Sequence, residues 1–377
     1  MLACGERHGQ ECLCYYSSFM RTGIIGLPGV GKTSLFKILT RAHLDAKAAR
    51  DAMHVGVAKV PDPRLEQLVP LYKPKKVTYA SIEYVDVAGL AKDRSRDSAL
   101  LVEMRQMDSL VNVVRLFDDP AQPHPAGSLN AARDVESVEI ELMLHDLEQI
   151  TRRLERLEKD IKRKKDPLLE REQALLVRCR AALEAEQPLR QLEFTADELK
   201  MLTGFMFLTR KPMLYAINLG DAEAADISRV VEKHGLTALA AKPQTAIVPF
   251  CGKIEAELAD LPDVEAAEMM AGYGLTESGR DRLIRATYQL LGLISFLTAG
   301  EPEVRAWTIP RGFTAVQAAG AIHSDIERGF IKAEVVFWEH LLAAGSVAVA
   351  RERAQVRLEG KEYPVKDGDV ILFRHSG

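Results

Sequence analysis

Short apolar runs recur along the chain, each closed by polar, glycine- or proline-bearing residues. Those at 22–25, 55–60, 82–87, 109–117, 213–218 and 245–250 predict six strands. Most are apolar at consecutive positions, and helical spacing follows several of them, as at 34–39. Strands that must bury both faces, alternating with helices, predict an α/β fold with a mostly parallel sheet covered by helices on both faces. Between the third-last and second-last of these runs, Ile140, Met143, Leu147, Ile150, Leu154, Leu157 and Ile161 alternate three- and four-residue spacing. That is the seam of a long helix packed on a partner. Residues 162–167 interrupt it, and Leu169, Leu176, Cys179 and Leu183 continue a returning arm, predicting an inserted antiparallel helical hairpin. From about residue 295 the pattern changes. A strand at 304–310, a helix over 314–328 with Thr314 as N-cap, short strands at 356–358 and 363–365, and a turn at 366–369 before 370–373 fit a small β-grasp module.

The expected organisation is a leader (1–20), a nucleotide domain in two parts (21–128 and 201–294), the hairpin insertion (129–200) and a C-terminal domain (295–377). No apolar run approaches the roughly 18 residues of a membrane span, so no membrane partner is expected. The net charge of −4 leaves any contact with nucleic acid to a local patch. The hairpin tip offers one, in Arg152, Arg153, Lys159 and Lys162 to Lys165. Glu155, Glu158, Asp160, Glu170 and Glu172 interleave, so the same residues also read as a solvated helix face. Of five cysteines, Cys4, Cys12 and Cys14 precede the first strand, and Cys179 and Cys251 are isolated. This is no disulfide framework and favours a cytoplasmic protein. Cys12-Leu13-Cys14 lacks the second ligand pair of a zinc site. His323 and His340 are lone histidines of structural character.

The chemistry concentrates at Gly26-Leu27-Pro28-Gly29-Val30-Gly31-Lys32-Thr33, a G-x-x-x-x-G-K-T run between a strand and a helix. Glycines let backbone N–H groups turn onto phosphate oxygens, and the following helix N-terminus favours an anion. Gly29, Val30, Gly31, Lys32, Thr33 and Ser34 would surround the phosphates, with Lys32 at the β- and γ-phosphates and the Thr33 hydroxyl on Mg²⁺. Asp86-Val87-Ala88-Gly89 ends an apolar strand some fifty residues on, and places Asp86 behind the same metal.

The chain resembles the YchF family, Obg-related P-loop NTPases with a coiled-coil insertion and a C-terminal TGS domain. The resemblance rests on the phosphate loop and on Val60-Pro61-Asp62-Pro63-Arg64-Leu65, Asp86-Val87-Ala88-Gly89-Leu90 and Arg133-Asp134-Val135-Glu136. It continues with Lys253-Ile254-Glu255-Ala256-Glu257-Leu258, Val304-Arg305-Ala306-Trp307-Thr308 and the run from His323 to Glu334. It covers everything from Met20 onward. It implies a cytoplasmic NTPase that prefers ATP to GTP and associates with the ribosome or RNA; Mg²⁺ dependence, slow hydrolysis given the altered switches described below, and a monomer are the further expectations. Asn218, in Asn218-Leu219-Gly220-Asp221, would contact the base, beside Leu219 and Cys251. Leu90 stands where Ras-type enzymes place a water-orienting Gln. The resemblance assigns that role to His124, although a histidine between Pro123 and Pro125 also reads as an idle side chain.

Several positions depart from the family pattern. Asp221 replaces its usual Glu and is the residue type that accepts hydrogen bonds from guanine in ordinary GTPases, which keeps GTP open as a substrate. No Ser or Thr lies between Thr40 and Thr78, where the first switch carries a Mg²⁺-closing Thr. The second switch, 90–98, has no glycine, and Cys251-Gly252 replaces a Ser-Ala pair. Two functional readings follow: a slow YchF-like ATPase, or a nucleotide-gated or degenerate ribosome- or RNA-binding module with little or no hydrolysis.

Overall fold

The computed structural model describes residues 20–42, 53–87 and 94–376. Its strands are β1 (Arg21–Ile25), β2 (Met53–Lys59), β3 (Val77–Thr78), β4 (Ser81–Val87), β5 (Ser109–Leu116), β6 (Met213–Leu219), β7 (Thr245–Phe250), β8 (Leu293–Ala299), β9 (Val304–Pro310), β10 (Phe330–Phe337), β11 (Arg357–Glu359) and β12 (Asp369–His375). The chain divides into two compact units: Arg21–Ala58 with Glu83–Leu291, and Lys59–Ile82 with Gly292–Gly377. The cysteine pair at 12 and 14, residues 43–52 of the stretch expected to hold the first switch, and residues 90–93 of the second switch lie outside the described residues, while 94–98 open helix Arg94–Arg105.

The first unit holds a six-stranded sheet in the order β2-β4-β1-β5-β6-β7. β1 lies parallel to β4 and β5, and β6 is parallel to β5 and β7. Every residue of β5 and β6 is buried, which is why those runs carry no polar alternation. On one face Val85, Val114, Tyr215 and Ile217 share a core with Val135, Val138 and Leu142 of helix Ala131–Arg163. On the other, the Tyr84 hydroxyl donates to Thr287 of helix Gly279–Leu290 at 3.0 Å. Helices therefore cover both faces of a mostly parallel sheet, as the apolar pattern predicts.

Helix Ala131–Arg163 returns as helix Pro167–Glu184. Pro167 opens the second helix rather than merely breaking the first, because Asp166 caps it by accepting from the Leu168 N–H at 3.0 Å. Met143, Ile150, Leu154 and Leu157 meet Leu176, Cys179 and Leu183 in a hairpin core, with Leu147, Ile161 and Leu169 packed against it. Ile140 falls off the predicted seam and is 37 % exposed. Before Met143 the helix turns Val135, Val138 and Leu142 to the sheet, and a residue two places after Val138 points the opposite way. Leu157 is fully buried. Leu157→Ala is expected to cost about 2–5 kcal/mol, read by urea unfolding, with ATP affinity unchanged.

The second unit is a mixed sheet in the order β11-β10-β12-β8-β9-β3. β8 and β9 are antiparallel, β12 returns parallel to β8, and β10 is antiparallel to β12 and β11. Helix Ala315–Ile322 lays Ala315, Ala318 and Ala319 on Phe296, Ile309 and Phe330, completing a β-grasp. β3 adds to its edge parallel to β9. Helix Pro63–Tyr72 joins the same unit, and Arg64 pairs with Asp62 at 2.7 Å and Asp367 at 3.0 Å.

The single helix expected over 314–328 is two, Ala315–Ile322 and Ser324–Arg328. They break at His323, which is extended and accepts the Asp325 N–H on Nδ1 at 3.1 Å. The expected strand at 363–365 is absent. Tyr363 instead donates to Asp369 at 2.9 Å, and Pro364 makes one isolated bridge to Thr314. β8 and β10 were not foreseen, β10 because a bulge between Phe330 and Lys332 breaks its alternation.

Candidate nucleotide site

The phosphate loop links β1 to helix Lys32–Thr40 at the carboxyl end of the parallel strands, where α/β sheets bind ligands. Gly31 occupies the helix N-cap with φ 97°, and a Cβ there would stand 2.7 Å from Asn218 Nδ2. Both demands exclude any other residue. The cap has no side-chain acceptor and the first turn has no acid. Those amides are left to an external anion.

Three side chains set the loop's peptide planes. Lys32 Nζ donates to the carbonyls of Gly26 at 3.0 Å and Leu27 at 2.9 Å. Asn218 Nδ2 donates to Val30 O at 3.1 Å, while its Oδ1 accepts the Gly252 N–H at 3.0 Å. Arg115, 1 % exposed, donates from Nη1 to Gly29 O at 3.4 Å and Gln122 O at 2.9 Å, and from Nε to Phe117 O at 2.9 Å. Neither Arg115 nor the tethering part of Asn218 was foreseen. The available signal was one arginine, the only charged residue in the run 109–117.

Thr33 Oγ1 donates to Asp86 Oδ2 at 2.8 Å. Burial pushes the Asp86 carboxyl above its ordinary range, opposed by the Thr33 hydroxyl and the Lys32 charge. Burial likewise lowers Lys32, opposed by Asp86. A hydroxyl and a carboxylate at hydrogen-bond distance beside a lysine are the hard oxygen donors Mg²⁺ takes, the rest of its shell being water and phosphate. The residues therefore fit that ion, which when bound would neutralise charge on the phosphates.

Next to Asn218 in the chain and at its Gly252 contact, Leu219 and Cys251 are buried, and burial raises the Cys251 thiol. Asp221 pairs with Lys253 at 2.5 Å and accepts from Cys251 Sγ at 3.4 Å, and the lysine bond holds its carboxyl below the usual range. Gly252 allows this close packing, since a Cβ would lie 2.9 Å from Asn218 Oδ1. His124 is not idle. Its side chain is buried, with Nε2 3.0 Å from Asp134 Oδ2 and Nδ1 accepting the Ala126 N–H at 3.2 Å.

Comparison with known proteins agrees with this geometry. Residues 21–170 match the family described as 50S ribosome-binding GTPase, and residues 293–376 match the YchF GTPase C-terminal family. Over 367 residues the chain is 42 % identical to the ribosome-binding ATPase YchF of Bacillus subtilis, covering 95 % of this chain and 99 % of that one. The chain belongs to the YchF family. The YchF ATPase of Escherichia coli O157:H7 is 39 % identical over 360 residues, covering 94 % and 98 % of the two chains. The Schizosaccharomyces pombe YchF GTPase structure aligns with a TM-score of 0.80 at 28 % identity, over 94 % of this chain and 97 % of its own. This YchF chain thus carries matches to the P-loop GTPase domain and to the C-terminal unit of its family on one polypeptide.

Proposed function

We propose that this YchF protein binds Mg²⁺ and ATP and hydrolyses the nucleotide slowly, in association with the ribosome or another RNA-containing partner. The observation that carries the nucleotide reading is the uncapped helix N-terminus at Gly31, framed by Lys32 on two loop carbonyls and by the Thr33–Asp86 pair. Gly29, Val30, Gly31, Lys32, Thr33 and Ser34 take the phosphates, and Thr33 with Asp86 holds the metal. Catalysis is positioning plus electrostatics, with Lys32 meeting the charge that develops on the phosphoryl oxygens.

ATP is favoured over GTP because the Asp221 carboxylate is committed to Lys253 and Cys251. Reading guanine would require breaking a charge-assisted bond. Leu219 and Cys251 close the base side, and Asn218 keeps one N–H and one lone pair free for a base edge. The ribosomal association rests on the names of the relatives. At the hairpin, Arg152 and Arg153 are already paired with Glu148 and Glu172, so phosphate contacts there fall to the tip lysines. Among the described residues no helix is long and apolar enough to cross a membrane.

His124 is the residue to position the attacking water, once its ring leaves Asp134. That contact also favours the second reading, a nucleotide-gated binding module with little hydrolysis. Competition titration of ATP against GTP, with and without Mg²⁺, followed by single-turnover phosphate release, separates them. Tighter, Mg²⁺-dependent ATP binding with slow release is expected. Binding without release would establish the second reading, and preferential GTP binding would overturn the assignment of Asp221.

A further inference from the structure

Arg115 is a buried cation that, among the described residues, makes no ion pair. Its partners are three backbone carbonyls, those of Gly29, Phe117 and Gln122, and its guanidinium lies 4.6 Å from the centre of the Phe117 ring. A buried charge without a counter-charge is costly. Arginine cannot escape by losing its proton. A residue held at that cost on β5, against the Gly29 carbonyl of the phosphate loop, has a place for negative charge near it. The trans peptide Gly29–Val30 runs its N–H opposite to its carbonyl. By drawing the Gly29 carbonyl to itself, Arg115 turns the Val30 N–H away, to the side where the loop takes an anion. Asn218 does the same for the next peptide by holding the Val30 carbonyl. The other two carbonyls belong to the segment that leads to His124, so one guanidinium ties the phosphate loop to the loop of the water-positioning histidine.

Resting on the nucleotide reading above, we propose that Arg115 is a positioning residue for the polyphosphate. It orients the Val30 amide, supplies the site with a second fixed positive charge besides Lys32, and sets the spacing between the phosphate loop and His124. It touches neither base nor sugar in this role. Its removal is therefore felt in proportion to the phosphates beyond the first.

The test is calorimetric titration of the full chain with ATP, ADP and AMP, in Mg²⁺, for wild type, Arg115→Met and Arg115→Lys, alongside thermal unfolding without nucleotide. Arg115→Met is expected to lose about tenfold or more in affinity for ATP and ADP and to keep its affinity for AMP. In Arg115→Lys the ATP-to-AMP affinity ratio is expected to fall by about threefold, since an ammonium keeps the charge but cannot span three carbonyls. An equal loss for all three nucleotides, or none, overturns the proposal, since a merely structural arginine would not discriminate by phosphate number. If Arg115→Met fails to fold, Arg115→Lys decides alone, and an unchanged ratio there overturns it. Wild-type protein that binds none of the three overturns the nucleotide reading and this inference with it.

Discussion

Lys32→Ala is expected to lower ATP affinity by on the order of a hundredfold and to abolish turnover, with the fold retained. Truncating one partner of a buried, hydrogen-bonded charge pair costs about 2–5 kcal/mol, and every 1.4 kcal/mol is tenfold in affinity. The loss is large because burial already disfavours the free ammonium, which the triphosphate would repay. The fold survives because Lys32 Nζ serves only two loop carbonyls, of Gly26 and Leu27, which water can take over. Titration with ATP and single-turnover phosphate release check the first part, and unchanged thermal unfolding without nucleotide checks the second. Wild-type affinity and turnover in this variant would remove the basis for the site.

The other large effect is expected away from the nucleotide. Arg190, Glu139 and Tyr215 form a buried network in which Arg190 Nη2 donates to Glu139 Oε1 at 2.5 Å and to Tyr215 Oη at 3.2 Å. Tyr215 also donates to Glu139. Glu139 lies on the first hairpin helix, Arg190 follows the second, and Tyr215 is on β6. The network fastens the insertion to the sheet. Arg190→Met leaves Glu139 as an uncompensated buried charge and should destabilise by about 3–5 kcal/mol. The double variant Glu139→Leu with Arg190→Met should recover most of that loss, because the penalty lies in the orphaned carboxylate rather than in the lost attraction. Urea unfolding of the two single variants and the double variant closes the cycle. Additive losses would show that the pair is not coupled.

The phosphate loop was legible because its eight residues are contiguous and their chemistry is carried by backbone and immediate neighbours. The parallel strands were legible because burial on both faces leaves a run of apolar residues that no surface element needs. The hairpin followed from its spacing, except at Ile140, where the helix changes partners from one core to another. His124 and Asp134 show the limit. Asp134 belongs to a run shared with the family and His124 to a proline-flanked loop, and nothing in ten residues of sequence says that a buried ring and a helix-start carboxylate will meet. For Asn218 the motif points only to the base, and the structure adds a second task, since each end of its amide gives one hydrogen bond to hold Val30 and Gly252.

Local order thus settled the existence of the elements, the composition of the phosphate loop, and the presence of Asp86 at a strand end. Folding decided the long-range assignments. Lys59–Ile82 joins a sheet whose other strands lie more than two hundred residues away, since β3 finds its hydrogen-bond partner only on β9. Asp221 pairs with Lys253, and Arg115 reaches the phosphate loop from β5 through three carbonyls on two segments. Periodicity and motifs report what a residue does to its own helix, strand or turn. Which distant group satisfies a buried charge is fixed by packing, because that energy depends on proximity in space and not along the chain.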